Sequence, residues 1–168
     1  MRYNFLLLFL LLLIPSHSDA VRVLSDYEYC MSFSHEKYGC QKQDINNEEF
    51  FSGLRKNSAL GLVCEMKSPF QSSAENELNL IFVDKHFFIS YIAEYQALIS
   101  QIPAVWERET ITIDVEDKRL ELNRASLVLT EMSDFFAKYE YACRQADIEK
   151  MRQKLNKTIN EAKSKNKI

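Results

Sequence analysis

The sequence is poor in the two residues that most often interrupt regular structure. Its 168 residues include only three glycines and three prolines, and one of the prolines, Pro15, falls within the first twenty residues. A sheet with many tight turns normally draws on glycine for left-handed positions and on proline for turn starts. Leucine, glutamate, lysine, glutamine and alanine, which favour helices, are abundant. The composition therefore predicts an all-α fold and excludes a Gly/Pro-rich linker between modules.

Long hydrophobic runs are confined to the N-terminus. Arg2 is followed by an apolar run, Phe5 to Ile14, and then by Pro15 and a stretch that ends at Ala20, the pattern of a secretory signal peptide. A run of this length is too short to cross a bilayer as a helix. The richest later region, 78–102, is interrupted by charged residues. We expect cleavage after Ala20, secretion to the extracellular space, and no transmembrane segment in the mature chain.

Catalytic signatures are also missing from the sequence. The two histidines beyond residue 20, His35 and His86, lie in no recognisable motif, and there is no GxSxG elbow, HExxH zinc helix, phosphate-binding glycine loop or calcium loop. His86 and nearby Asp84 could form a general-base pair, although a histidine in an apolar segment is more often structural. No nucleic-acid-binding motif occurs. The sequence predicts a protein that is not an enzyme, needs no cofactor and binds no nucleic acid.

Cysteine is scarce but even in number, with Cys30, Cys40, Cys64 and Cys143. An exported chain is expected to join them in two disulfides. Zinc binding by Cys30, His35 and Cys40 is the alternative, but it lacks a fourth ligand and a close CxxC pair, so no metal is predicted. A helix that continues to Gly39 would hold Cys30 roughly 12 Å from the helix end, too far for a bond to Cys40. Cys30 is therefore predicted to pair with Cys64 or Cys143, and Cys40 with the other.

Local signals place several helices along the chain. Ser25 and Glu28 have the spacing of a capping box, and a second helix is predicted to begin near Asp44 or Asn47, with a short continuation over 59–66. Helical spacing of apolar residues predicts a central core helix over 78–99 and a long C-terminal helix over 120–163. The segment 110–122 also fits a two-stranded hairpin, but helix is favoured.

Together these elements predict a single-domain, disulfide-stapled bundle of four to five helices, with a bundle domain at 21–149 and a basic helical tail at 150–168. The chain resembles secreted four-helix cytokines and the insect odorant-binding proteins that have four cysteines. The features that it shares with them are the predicted signal peptide, the size, the predicted helix content and the two predicted disulfides. The resemblance is one of class, so it assigns no functional residue.

Charge is distributed unevenly between the body and the tail. The formal net charge is −3, yet residues 150–168 carry +6, because seven basic side chains face a single acid, Glu161. Residues 21–149 then carry −9. A projecting basic helix predicts an anionic extracellular partner, and the candidate contacts are Lys150, Arg152, Lys154, Lys157, Lys163, Lys165 and Lys167. The same tail also carries an N-glycosylation sequon at Asn156.

Two functional hypotheses follow from these observations. The first is a secreted interaction protein, not an enzyme, that binds another extracellular macromolecule through helix faces or the basic tail. The second is a carrier for a small lipophilic ligand in an internal cavity. The candidate cavity lining consists of Phe82, Phe88, Tyr95, Trp106 and Phe136.

Overall fold

The structure is a computed structural model that describes residues 25–32, 42–67, 76–115, 118–133 and 138–165. More than half of these residues lie in strands. The helices are α1 (Asp26–Ser32), α2 (Glu48–Lys56) and α3 (Ile148–Lys165). The strands are β1 (Gln43–Asp44), β2 (Leu60–Met66), β3 (Glu77–Val83), β4 (His86–Ala93), β5 (Gln96–Ile102), β6 (Ala104–Trp106), β7 (Thr110–Val115), β8 (Lys118–Asn123), β9 (Val128–Ser133) and β10 (Lys138–Ala146).

The described strands form one antiparallel sheet in the order β1-β5-β4-β3-β2-β10-β9-β8-β7-β6. Strands β2 to β5 form one meander and strands β6 to β10 form another, since each strand pairs with its neighbour in the sequence. The two meanders join in the middle of the sheet, where β2 pairs with β10. We call this central pairing the seam.

The sheet curls so that its two ends approach each other. β5 lies next to the edge strand β1 and β6 forms the opposite edge, yet only Pro103 separates β5 from β6 in the chain. Proline has no backbone N–H and therefore interrupts the strand. Across the curl, the ring of Phe82 on β3 contacts that of Trp106 on β6, with 5.7 Å between the ring centroids.

Each face of the curled sheet carries its own hydrophobic core. The inner core joins both meanders and consists of Leu62, Cys64, Leu80, Phe82, Phe87, Ile102, Ile111, Ile113, Leu120, Leu122, Leu129 and Tyr141. The outer core lies on the other face of β2 to β5, where the three helices cover the sheet. Its helical members include Cys30, Phe50, Phe51, Leu54, Ile148, Met151, Leu155 and Ile159, which pack on Val63, Ile81, Val83, Phe88, Ala97 and Ile99.

The all-α prediction is wrong, and with it the helical bundle and the outline likeness to helical cytokines and odorant-binding proteins. The predicted helices over 59–66 and 78–99 are strands β2 to β5. Strands β3 and β4 are covered on both faces, so apolar residues occur at nearly every position and match helical spacing by chance.

The predicted long helix over 120–163 is also wrong, because residues up to Ala146 belong to strands. Helix α3 begins at Ile148 and spans 18 residues, about 27 Å. It packs against the sheet and crosses the predicted boundary between residues 149 and 150. The hairpin alternative for 110–122 is confirmed, since Ile111 faces Leu122 and Ile113 faces Leu120 in the β7–β8 pairing.

The local signals near the N-terminus are confirmed. Ser25 Oγ accepts from the backbone N–H of Glu28, and a carboxylate oxygen of Glu28 accepts from the N–H of Ser25, which is the reciprocal geometry of a capping box. Helix α2 begins after Asn47, whose side-chain oxygen accepts from the backbone N–H groups of Glu49 and Phe50. Ile45 and the α2 residues Phe50, Phe51 and Leu54 are buried.

Left-handed backbone positions are occupied by residues other than glycine. Ser58, Asp84, Glu94, Tyr95 and Leu127 all have positive φ, and no described glycine does. The described glycines instead provide space, because a Cβ atom on Gly53 would lie 2.3 Å from the ring of Tyr27 and one on Gly61 would lie 2.7 Å from the carbonyl oxygen of Ala146. The low glycine count was therefore a poor guide to the number of turns.

The cysteine pairing differs from both predicted arrangements. Cys64 and Cys143 are opposite each other across the seam and form a disulfide. Cys30 is also disulfide-bonded, while Cys40 and His35 lie outside the described residues. The prediction failed because it placed Cys64 and Cys143 in helices, whereas both lie in paired strands.

The β4–β5 turn provides a test of the unusual backbone. Glu94 and Tyr95 have φ values of 49° and 60°, and this pair of positive values is the one for which hairpins prefer Asn-Gly. The double substitution Glu94→Asn/Tyr95→Gly should therefore raise the free energy of unfolding by about 1 kcal/mol, measured by urea denaturation. The control Glu94→Ala/Tyr95→Ala removes the same side chains but keeps the strain. An equal increase in the free energy of unfolding of the control would show that relief of backbone strain is not the cause.

Candidate functional site: an apolar recess beside Trp106

One end of the inner face carries a recess of about 340 Å³. It lies where β3, β6, β8 and β10 end and where β2 and β7 begin. The lining residues are Ser58, Leu60, Leu62, Phe82, Asp84, Trp106, Ile111, Leu122, Arg124, Leu127 and Gln145. We call it the Trp106 recess. Apolar walls with a few polar groups at the rim are typical of small-molecule sites.

Trp106 is held in place at the wall of this recess. Its indole N–H donates to the backbone carbonyl of Lys85 at 3.1 Å, which joins β6 to the β3–β4 turn across the curl. The ring meets Phe82 edge-on, and the guanidinium carbon of Arg124 lies 6.0 Å from its centroid. The indole therefore presents a fixed aromatic surface to the recess.

Arg124 supplies the cationic group at the rim. Its Nη1 donates to the backbone carbonyls of Glu107 and Arg108, at 3.1 and 3.2 Å. The backbone of Arg124 is fixed as well, because its N–H donates to the carbonyl of Glu109. A guanidinium keeps its charge at any physiological pH, so the recess combines an apolar wall with a positioned positive charge.

The structure separates the five residues of the predicted cavity lining. Phe82 and Trp106 both line the recess. Phe88 lies on the other face of the sheet, with its ring 6.1 Å from that of Phe50, and Tyr95 lies in the β4–β5 turn with 44% of its surface exposed. Phe136 lies outside the described residues.

Most of the aliphatic lining was missed by sequence reasoning. Ile111 and Leu122 reach the recess because they are opposite each other in the β7–β8 pairing, and the alternation of residues 111 to 115 was the signal that could have revealed them. Leu60 and Leu127 flank turns, where no periodicity marks them.

The predicted basic contacts on α3 fall into two groups. Arg152 is not free, since it bonds Glu48 at 2.7 Å and Glu149 at 3.0 Å and its guanidinium lies 4.0 Å from the Phe51 ring centroid. Lys154 forms an ion pair with Glu77. Lys150, Lys157, Lys163 and Lys165 are exposed, Lys157 beside Glu161 at 3.9 Å, and Lys167 lies outside the described residues.

Arg152 anchors α3 to α2 through charge as well as packing. Burial alone lowers the pKa of Arg152, but its hydrogen bonds to Glu48 and Glu149 outweigh that effect and raise it. The same hydrogen bond, followed by the positive charge of Arg152, lowers the pKa of Glu48. This side chain is therefore a structural contact of the helix and is not free for a partner.

A second depression of about 340 Å³ lies between α3 and the strands β3 and β4, and most of its lining residues are polar. Lys154 and Glu77 both line it and pair with each other. Asn79 donates to Glu77 at 3.2 Å, while its buried Oδ1 has no hydrogen-bond partner in the described part of the chain. Because its own ion pair occupies the depression, the Trp106 recess is the better candidate for a lipophilic ligand.

Glu131 is the buried acid of the inner face, with only 3% of its surface exposed. It accepts a hydrogen bond of 2.7 Å from the hydroxyl of Tyr141, and Lys118 Nζ lies 3.0 Å from its other oxygen. Buried carboxylates often mark catalytic sites, but this one has both oxygens bonded. Its arrangement is that of a structural polar network.

Tyr141→Phe tests the structural role of this network. The substitution leaves one oxygen of Glu131 buried without its donor, which should lower the free energy of unfolding by about 1 to 3 kcal/mol in urea denaturation. Tyr139→Phe is the matched control, because Tyr139 is half-buried against the same core and is two residues away on β10. Equal losses in both variants would show that the hydroxyl of Tyr141 contributes nothing specific.

The remaining candidates lie apart from the recess. His86 Nδ1 is 2.8 Å from the side-chain nitrogen of Gln101. Within the described residues, no group of three or more His, Cys, Asp or Glu side chains is arranged to hold a metal ion. Asn156 of the sequon is partly buried and exchanges two amide hydrogen bonds with Asn46, at 2.7 and 3.0 Å.

Among the described segments, no helix is both long enough and apolar enough to cross a membrane. Compared with known proteins, the chain matches no protein-family model, no curated protein and no solved structure.

Proposed function

We propose that this protein is a secreted binding protein, not an enzyme, that takes a small lipophilic ligand into the Trp106 recess. The observation that carries the proposal is the recess itself, about 340 Å³ of space walled by Phe82, Trp106 and aliphatic side chains. Its volume is at the lower end of the range for ligand sites. A site of this volume suits a small ligand.

Secretion is supported by two independent features. The N-terminal apolar run has the form of a signal peptide. The chain also has a disulfide between Cys64 and Cys143, and disulfides persist mainly in oxidising compartments.

The sole tryptophan of the chain makes the proposal directly measurable. Since the sequence contains a single tryptophan and it lines the recess, energy transfer from its emission to a bound dye reports occupancy of this site. N-phenyl-1-naphthylamine, an uncharged aromatic dye, should bind with saturable transfer from Trp106. Absence of saturable transfer would refute the ligand site.

Leu60→Arg is the variant that should close the recess. Leu60 lines it and has 40% of its surface exposed, so a longer charged side chain should reduce dye affinity by about tenfold or more without leaving a cavity in the core. Val105→Arg is the matched control, because Val105 is 60% exposed next to Trp106 and does not line the recess. An equal loss of dye affinity in Val105→Arg would show that the dye binds elsewhere.

A second candidate function is the binding of an anionic extracellular macromolecule to α3. The observation that favours it is the placement of Lys150 and Lys157, which are exposed and lie opposite the buried positions of α3 by helical period. Lys165 is exposed near the end of the same helix, about 80° around the axis from Lys157. We call these three residues the lysine stripe. Several like charges on one helix side attract a polyanion at low salt.

Heparin chromatography tests this lysine stripe. The triple substitution Lys150→Gln/Lys157→Gln/Lys165→Gln should lower the salt concentration at which the protein elutes. Its control replaces three exposed lysines away from α3, Lys42, Lys56 and Lys85, and changes the net charge equally. If both triple variants elute together, the interaction depends on net charge and the stripe has no specific role.

A further inference from the structure

Arg124 differs from most of the arginines in the described segments. Arg55, Arg119, Arg144 and Arg152 each lie within 4.0 Å of a carboxylate oxygen. Within the same segments Arg124 has no such neighbour, and its side-chain hydrogen bonds run to backbone carbonyls. Its charge at the mouth of the recess is therefore not neutralised by a salt bridge in the described structure.

The geometry of Arg124 leaves part of its guanidinium for a ligand. Nη1 has two hydrogens, and the carbonyls of Glu107 and Arg108 accept from this nitrogen. Nη2 and Nε carry the remaining donors of the planar group, and such a pair can bond both oxygens of a carboxylate. The two carbonyls and the Trp106 ring already position the side chain, so a ligand would lose little affinity to ordering it.

Asp84 is the charge that opposes this arrangement. It also lines the recess, in the β3–β4 turn, and would favour a cationic ligand. Its side chain is exposed to solvent, as is that of Arg124, so screening weakens both charges. Arg124 lies against the aromatic wall, next to the position of an apolar ligand body, so its charge has the stronger effect on ligand choice.

Resting on the ligand site proposed above, we propose that the Trp106 recess selects a compact lipophilic anion. Its apolar body lies against Trp106 and Phe82, and its carboxylate binds the free donors of Arg124. A small aromatic carboxylic acid meets these requirements. A long-chain fatty acid has the same headgroup, but its flexible chain loses more conformational freedom on binding than a rigid aromatic body does.

Two dyes with one scaffold test the inference. 1-Anilinonaphthalene-8-sulfonate is N-phenyl-1-naphthylamine with an added sulfonate, and both accept energy from Trp106. The sulfonated dye should bind more tightly to the wild-type protein. Arg124→Gln should weaken binding of the sulfonated dye about tenfold and binding of the uncharged dye much less. Arg119→Gln, which removes an equal charge at a salt bridge with Asp114, should change neither dye.

The outcomes separate this inference from the proposed function. If the uncharged dye binds with saturable transfer but the two dyes lose affinity equally in Arg124→Gln, the ligand site stands and the anion selectivity is refuted. If neither dye shows transfer, the site itself is refuted. Arg124→Lys should restore part of the sulfonate affinity, because it keeps the charge but loses the planar fork.

Competition distinguishes the two sources of a carboxylate. Naphthalene-2-carboxylate should displace the sulfonated dye from the wild-type protein, and hexadecanoate should not. Displacement by hexadecanoate at lower concentration than by naphthalene-2-carboxylate would overturn the assignment of a compact ligand.

Discussion

The seam between β2 and β10 is the pairing on which the rest of this structure depends. Every other adjacent pair of strands in the described sheet, apart from β1 and β5, is also adjacent in the sequence. Only the seam makes one sheet out of two meanders. Cys64 and Cys143 are linked at this place, and a cross-link between residues 79 positions apart is worth about 4 to 5 kcal/mol in the chain-entropy model.

The seam also determines where the functional surfaces lie. By joining the meanders it allows the sheet to curl, and the curl brings Phe82 and Trp106 together although their strands are far apart in the sheet. The Trp106 recess is therefore a product of tertiary structure and not of any one hairpin. On the outer face, α3 reaches the first meander, and Met151 approaches the seam at Gly61.

Sequence reasoning succeeded where a local interaction decides the structure. The capping box at Ser25 and the N-cap at Asn47 depend on neighbouring residues, and both are present. The buried residues of α2 and α3 recur in the sequence at the spacing of an amphipathic helix, because each of these helices has one solvent face.

Sequence reasoning failed for strands that are covered on both faces. In β3, Ile81 contributes to the outer core and Leu80 and Phe82 to the inner one, so the alternation that identifies a strand is absent. The glycine count added to the error, because residues with side chains occupy the left-handed turn positions. Of the site, aromatic content identified Phe82 and Trp106, but the positioned charge of Arg124 depends on carbonyls of another loop.

The order of the strands has a consequence for how the chain folds. Hairpins between sequence neighbours close short loops and can form early, whereas β2 and β10 must meet across most of the domain. Until they meet, β2 and β10 are two unprotected edges open to intermolecular pairing. The bond between Cys64 and Cys143 lies across these two edges and keeps them paired.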